Sequence, residues 1–257
     1  MQELLYILSP SFSGSTLLTT LIATHPDVAT VGELKASAMG DVESYRCSCG
    51  LLLKNCVFWR QVKAGMEKSG AEFEFADFRT HFTSGPTWFK RLVRLGGRGA
   101  LLSQSSSWLL QMLPPSRRRI NRVVEQNRGM IDLITSIQRG RVFLDGSKDP
   151  ERLNQLLVSQ QWKIRVIHLL RDGRGVVNSY KKHQNVNIRA AAIDWFRTDR
   201  ACLRVAGRMA RKDILTVKYE DVCREPQRTI DEIFTFAGLI RGVLINGAIR
   251  ESGHVLG

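Results

Sequence analysis

The chain reads as an α/β protein, a P-loop-like three-layer sandwich with a central parallel sheet and a helical insertion. Three observations predict it. Short, near-continuous apolar runs alternate with segments of helical period along the 257 residues, the pattern of parallel strands buried on both faces by crossover helices. The first run, Glu3-Leu4-Leu5-Tyr6-Ile7-Leu8, passes through a small-residue turn straight into a helix start at Ser15. A later run, Lys163 to Leu170, ends in Arg171, which sets a cation at the carboxyl end of a strand, where open α/β sheets bind ligands.

The elements follow in order. A strand over 4–9 leads to a helix over 15–24 and a short strand near 28–31. A mostly helical excursion then runs from about 51 to 139, interrupted at Gly96-Gly97 and Pro114-Pro115. The sheet resumes at Arg141-Val142-Phe143-Leu144-Asp145, and Pro150 opens a helix to Ser159, its ring suited to a first helical turn. Strand 163–170 and helix 173–183 come next. From Ile188 to Arg211 apolar residues recur near a 3.6-residue period, through Ala192, Trp195, Cys202, Val205 and Met209. Strand Ile214–Lys218 and helix Pro226–Ala237, stopped by Gly238, complete the chain. No repeat or long linker appears, so residues 1–257 read as a single domain. Its insertion, about 51–139, is expected to wall or cover an acceptor site.

The turn after the first strand reads Ser9-Pro10-Ser11-Phe12-Ser13-Gly14-Ser15-Thr16-Leu17. Unpaired backbone N–H groups and the helix dipole make such a turn attractive to an anion. Hydroxyls at Ser13, Ser15 and Thr16 add donors, and Gly14 lets a phosphate approach the backbone. A nucleotide-triphosphate loop carries Lys before its Ser/Thr, and this one has none, so it suits phosphate but not Mg-ATP. The competing reading is that Ser13 to Thr16 only cap the helix. The second strand end shifts the balance: Arg171-Asp172-Gly173-Arg174, with Ser179 eight residues beyond Arg171, offers a planar fork and a hydroxyl for a terminal phosphate.

These segments resemble the sulfotransferases that use 3′-phosphoadenosine-5′-phosphosulfate (PAPS). In that family a PxSGTT or RSGST loop holds the 5′-phosphosulfate and RDxRxxxxS holds the 3′-phosphate. Here Ser13-Gly14-Ser15-Thr16 matches the first, and Arg171, Asp172, Arg174 and Ser179 match the second. Further matches fall at His25-Pro26, Gly32-Glu33, Ser147-Lys148-Asp149-Pro150 and Val217-Lys218-Tyr219-Glu220-Asp221, in family order over roughly residues 3 to 238. The resemblance implies PAPS as co-substrate, no metal, and transfer of a sulfonate to a hydroxyl or amine acceptor, a carbohydrate or small molecule. It assigns Phe12, Ser13, Gly14, Ser15, Thr16 and Leu17 to the 5′ end of the donor, and Arg171 and Ser179 to its 3′-phosphate.

Catalytic roles follow from position. Glu33 stands just beyond the second strand and is assigned as general base, as in family members with glycan, tyrosine or lipid-sugar acceptors. The competing reading makes it a cap for a helix starting near Leu34. Lys148 matches the lysine that contacts the bridging oxygen of PAPS, where a cation stabilises charge on the leaving group. One departure concerns Phe12, which occupies the place of the family's usual Arg or Lys. Either another cation compensates, with Lys148 the leading candidate, or transfer is weakened. His25, Tyr219 and Asp172 are read as structural, the last as a helix cap, and Arg174 as a phosphate contact or a surface charge.

Cys47-Ser48-Cys49-Gly50, followed by Cys56, is crowded enough for a metal or redox centre. A four-ligand zinc site needs one more partner, however, and no His lies close in sequence. Similar cysteine segments occur in some bacterial sulfotransferases, and a local structural role is expected. Net charge is +14, concentrated between Pro86 and Arg128, where nine Lys and Arg face the single Glu125. PAPS is itself strongly anionic, so an electrostatic field for an anionic nucleotide and acceptor explains this without nucleic acid, for which aromatic interleaving is thin and no module appears. No apolar run approaches the ~20 residues of a membrane span. With an apolar strand at once and no small-residue cleavage site after it, no secretory leader is expected, and a cytoplasmic, bacterial enzyme is expected. Related enzymes close a C-terminal segment over the cofactor, and Glu251 to Gly257 reads as no clear element, so the sequence leaves open whether a donor-binding piece is missing. Two alternatives remain: a P-loop-type nucleotide kinase, which lacks the loop Lys, and a catalytically silent PAP(S)-binding protein, which Phe12 keeps open.

Overall fold

The computed structural model describes residues 1–34, 45–83, 85–95 and 112–241. Five parallel strands form one sheet: β1 (Glu3–Leu8), β2 (Val28–Thr30), β3 (Val142–Lys148), β4 (Lys163–Leu170) and β5 (Ile214–Lys218), in the order β2-β3-β1-β4-β5. β1 is central, pairing Leu5 with Leu144 on one side and with Arg165 on the other. The chain leaves β1 toward the β2 edge and leaves β4 toward the β5 edge. The crevice between the carboxyl ends of β1 and β4 is therefore the topological switch point, where such sheets bind ligands.

Helices cover both faces. The period-2 alternation of β1 divides its side chains between two cores. Leu5 and Ile7 pack with Leu18 and Ile22 of α1 (Ser15–Ile22) and with Ile230, Ile233 and Phe234 of α9 (Pro226–Ala237). Leu4, Tyr6 and Leu8 face the other way, toward α2 (Val57–Lys68), α4 (Pro114–Ile137) and α5 (Pro150–Ser159), through Trp59, Ile134 and Leu153. Among the described residues, the remaining helices are α3 (Thr87–Leu95), α6 (Gly173–Gln184), α7 (Ile188–Ala206) and the short α8 (Tyr219–Arg224).

A buried arginine ties the segment between β2 and β3 to the sheet. Arg152 Nε donates to Asp145 Oδ2 at 2.9 Å, with side chains only 2% and 0% exposed. Its other nitrogens reach the Thr80 carbonyl (2.9 Å) and Asn127 Oδ1 (2.6 Å). Both charges are thus paired and hydrogen-bonded, the condition under which buried ions are tolerated.

Most sequence boundaries hold, with four corrections. The third strand runs on to Lys148, because Gly146 donates to the Gly32 carbonyl and prolongs the ladder. Among its described residues the 51–139 segment is only partly helical: 69–83 and 85–86 are irregular, since Gly70, Gly85 and Pro86 interrupt any helical period. Helix α7 stops at Ala206, before the glycine at 207. The residues after β5 form α8, with Glu220 and Asp221 in its first turn, where carboxylates favour the helix dipole. The Gly96-Gly97 break lies outside the described residues.

Candidate active site

The β1–α1 turn is not an ordinary cap. Gly14 occupies the N-cap in left-handed conformation (φ 87°), and no side chain bonds the exposed N–H groups of the first turn. The hydroxyls of Ser9 and Ser13 are buried and have no hydrogen-bond partner. Buried polar atoms of a native fold are nearly always satisfied, so these orphan hydroxyls beside an uncapped helix start fit an anionic ligand. Thr16 and Leu17 are exposed, and Ser15 is buried. The helix-cap reading of Ser13 to Thr16 is therefore set aside.

Phe12 anchors this turn. Its ring packs edge-on against Tyr180 (4.5 Å between centroids) and stacks with His183 (5.6 Å), both on α6. The backbone there has φ 62°, as Lys148 has φ 64°. Left-handed Gln160 and Asn185 end helices, where such geometry is ordinary. Phe12 and Lys148 end no helix, and non-glycine strain of this kind gathers at functional sites.

Arg171 joins the two distant segments. Its Nη1 donates to the Phe12 carbonyl at 2.7 Å, and its guanidinium lies 4.4 Å above the Tyr219 ring. The same ring packs so closely on Gly14 that an added Cβ would fall 2.2 Å from it. Loop, arginine and tyrosine thus form one contact unit at the switch point. Ser179 is coupled to it more loosely: its hydroxyl donates to the Gly175 carbonyl at 3.0 Å, and the Arg171 fork lies over Gly175. Asp172 caps α6 by accepting from the Arg174 N–H (2.9 Å), and hydrogen bonds from Arg174 pull its carboxyl down to about 2. The Arg174 side chain is 93% exposed and paired with Asp172, so the structure makes it a surface charge.

Glu33 and Lys148 come together as an ion pair, one third and one sixth exposed. Two close approaches place them. Gly32 (φ 77°) receives the Gly146 N–H at 2.8 Å, and its own N–H donates to Thr30 Oγ1, which in turn donates to the Leu144 carbonyl. The pair opens into a cleft of about 910 Å³ floored by Ser9, Ser11 and Ser147 and walled by Tyr180, Gln184, Asp194, Arg197 and Thr198. A second pocket, about 440 Å³, lies at Arg171, Gly175, Tyr219 and Arg224. The reading of Glu33 as a helix cap falls on residues 35–44, outside the described residues.

Several site residues escaped the sequence reading. Ser9, Ser11 and the α7 cation Arg197 line the cleft, yet α7 showed only its apolar period. Tyr219, read as a brace for the last strand, touches both halves of the site. His25 bonds the Ile240 carbonyl (3.2 Å) and accepts from the Asp27 N–H, away from the cleft.

A parallel sheet with an uncapped glycine turn at its switch point defines a P-loop-like α/β protein. More specifically, the chain belongs to the sulfotransferase family, whose model matches residues 5–241. No curated protein sequence matches it. Among solved structures it is similar to the sulfotransferase domain of the curacin biosynthetic pathway, with TM-score 0.54, 16% identity, and coverage of 97% of this chain and 80% of that one. It is also similar to the sulfotransferase domain of the Synechococcus PCC 7002 olefin synthase (0.52, 21%, 97% and 78%). A third is sulfotransferase STF1 from Mycobacterium tuberculosis H37Rv (0.51, 15%, 98% and 70%). At these identities the likeness is one of fold. Among the described residues, no helix is long and apolar enough to cross a membrane.

Proposed function

We propose that this sulfotransferase-family chain binds PAPS across the β1–β4 crevice and transfers its sulfonate to a hydroxyl or amine of a carbohydrate or small-molecule acceptor. The observation that carries the reading is the contact unit of Arg171, the Phe12 carbonyl, Tyr219 and Gly14. It brings together the two segments expected to grip opposite ends of one bisphosphorylated adenosine.

PAPS supplies an activated sulfonate on a phosphate leaving group, and the transfer is an in-line displacement governed by positioning and charge. Ser13 and the α1 N–H groups hold the 5′ end, while Arg171 and Ser179 hold the 3′-phosphate and fix register. Glu33 takes the acceptor proton, its carboxylate facing the cleft. Lys148 moves from Glu33 to stabilise charge on the leaving oxygen, supplying the cation that Phe12 does not. Among the described residues the cleft is lined by α6 and α7 and by none of the 51–139 insertion expected to wall it, so α6 and α7 set which acceptor fits.

Thermal shift with 3′-phosphoadenosine-5′-phosphate (PAP), 5′-AMP and Mg-ATP, followed by PAPS turnover against a panel of hydroxyl acceptors, tests the reading. Stabilisation by PAP and acceptor-dependent release of PAP are expected. Stabilisation by Mg-ATP alone would replace it with the kinase reading. PAP binding with no turnover, which Phe12 keeps open, would leave a silent binding protein.

A further inference from the structure

Outside the site, three cysteines converge. The Sγ atoms of Cys47, Cys49 and Cys56 all lie within 4.8 Å of one another, and those of Cys49 and Cys56 are 3.7 Å apart. None of the three is in a disulfide, whose bond would be about 2.0 Å. A tetrahedral site with Zn–S bonds of about 2.3 Å has sulfur–sulfur edges of about 3.8 Å, which the Cys49–Cys56 pair already meets. We infer that Cys47, Cys49 and Cys56 form a three-thiolate zinc site, with water or a small exogenous ligand at the fourth vertex. This inference stands independently of the PAPS reading.

The backbone supports a built site rather than a chance meeting of thiols. Cys47 N–H donates to the Leu51 carbonyl (2.9 Å), Gly50 N–H to the Cys47 carbonyl (2.8 Å), and Cys56 N–H to the Leu52 carbonyl (3.0 Å). Arg46 and Leu52 form an antiparallel bridge across the loop. Gly50 has φ 84° with open space where a Cβ would stand, so backbone conformation and not crowding calls for glycine there. The sequence grouped the three cysteines without showing that their sulfurs meet, because Cys56 reaches the pair only once the 3₁₀ turn Leu53–Asn55 folds the chain back. Each thiol gives its proton to solvent as its metal–sulfur bond forms.

The site has a place in the architecture. Cys47 and Cys56 are buried in the core that holds Trp59 and Tyr6, and Cys56 directly precedes α2. Tyr45, half-buried, lies within electrostatic reach of both Glu33 and Cys47. A metal here would clamp the segment that flanks the Glu33 side of the cleft.

The test is metal analysis of the full chain purified under reducing conditions without chelator, followed by exchange of the metal for cobalt. About one zinc per chain is expected, with the visible bands of a tetrahedral cobalt–thiolate after exchange, and a fall in melting temperature on chelation that added zinc reverses. Cys49→Ser and Cys56→Ser should each lose the metal. Since Cys56 is buried and its variant risks misfolding, the exposed Cys49→Ser gives the same reading alone. Chain that holds no zinc as purified and takes up no cobalt would overturn the inference, as would zinc retained unchanged in Cys49→Ser. So would a thiol count showing Cys49 and Cys56 joined in a disulfide under those conditions.

Discussion

Gly14→Ala probes the joint between the phosphate-binding turn and the Tyr219 corner. Alanine at φ 87° costs about 1–2 kcal/mol in backbone strain. Its Cβ would also stand 2.2–2.3 Å from two Tyr219 ring carbons, where ordinary carbon contacts begin near 3.5 Å. The ring must therefore move by more than an ångström, and overpacking of this kind costs about 1–3 kcal/mol. Together these give about 2–5 kcal/mol, or a fall of about 5–20 °C in melting temperature for a chain of this size. Arg171 rests on the same ring, so PAP affinity should fall as well. A double-mutant cycle with Tyr219→Ala isolates the contact: in that background only the strain remains, giving a coupling of about 1–3 kcal/mol. Chemical denaturation measures all four proteins. Strict additivity would refute the claim that loop and corner act as one unit.

Other expectations follow from the same geometry. Glu33→Gln should lower turnover by about 10²–10⁴-fold with PAP affinity nearly unchanged, and full activity would remove Glu33 from the mechanism. Lys148→Met should collapse turnover while stability changes little, because Lys148 and Glu33 are both partly exposed; steady-state rates and melting curves together decide. Arg152→Met strands the buried Asp145 carboxylate and should cost about 3–5 kcal/mol by urea denaturation, loosening Thr80 and Asn127 first in hydrogen exchange. His168 is buried in β4 with no partner for Nε2, and burial holds its pKa below 6.5. The unfolded chain therefore takes up this proton first, and stability is lost as pH falls from about 6.5 toward the lower folded value. His168→Gln should flatten that slope, read as urea midpoints between pH 8 and 5.

Much of the fold was legible because parallel strands buried on both faces announce themselves as apolar runs. β4 and β5 fall where expected, and α5 begins at Pro150 and α9 ends at Ala237, just before the left-handed Gly238, as their sequences require. The position of Arg171 at a strand end, with a glycine turn after β1, marked the crevice between β1 and β4. Pairings across the sheet were not legible. The Glu33–Lys148 ion pair depends on Gly32 and Gly146 drawing two chain segments together, and nothing local to either residue signals its partner. Phe12 looked like a missing cation, whereas its ring is the hydrophobic anchor of the turn against α6. Arg197 was hidden for a similar reason: helical period separates buried from exposed faces but does not say which exposed face lines a cleft.

The central claim is that Arg171 reads the 3′-phosphate while the Gly14 turn reads the 5′ end. The ratio of Kd for 5′-AMP to Kd for PAP, measured by calorimetry in the wild type and in Arg171→Met, tests it most directly. Charge-assisted hydrogen bonds of about 1.5–3 kcal/mol should favour PAP by about 10- to 150-fold in the wild type, and most of that preference should be lost in the variant, leaving only the share held by Ser179, while 5′-AMP still binds. An unchanged ratio would contradict the assignment of Arg171.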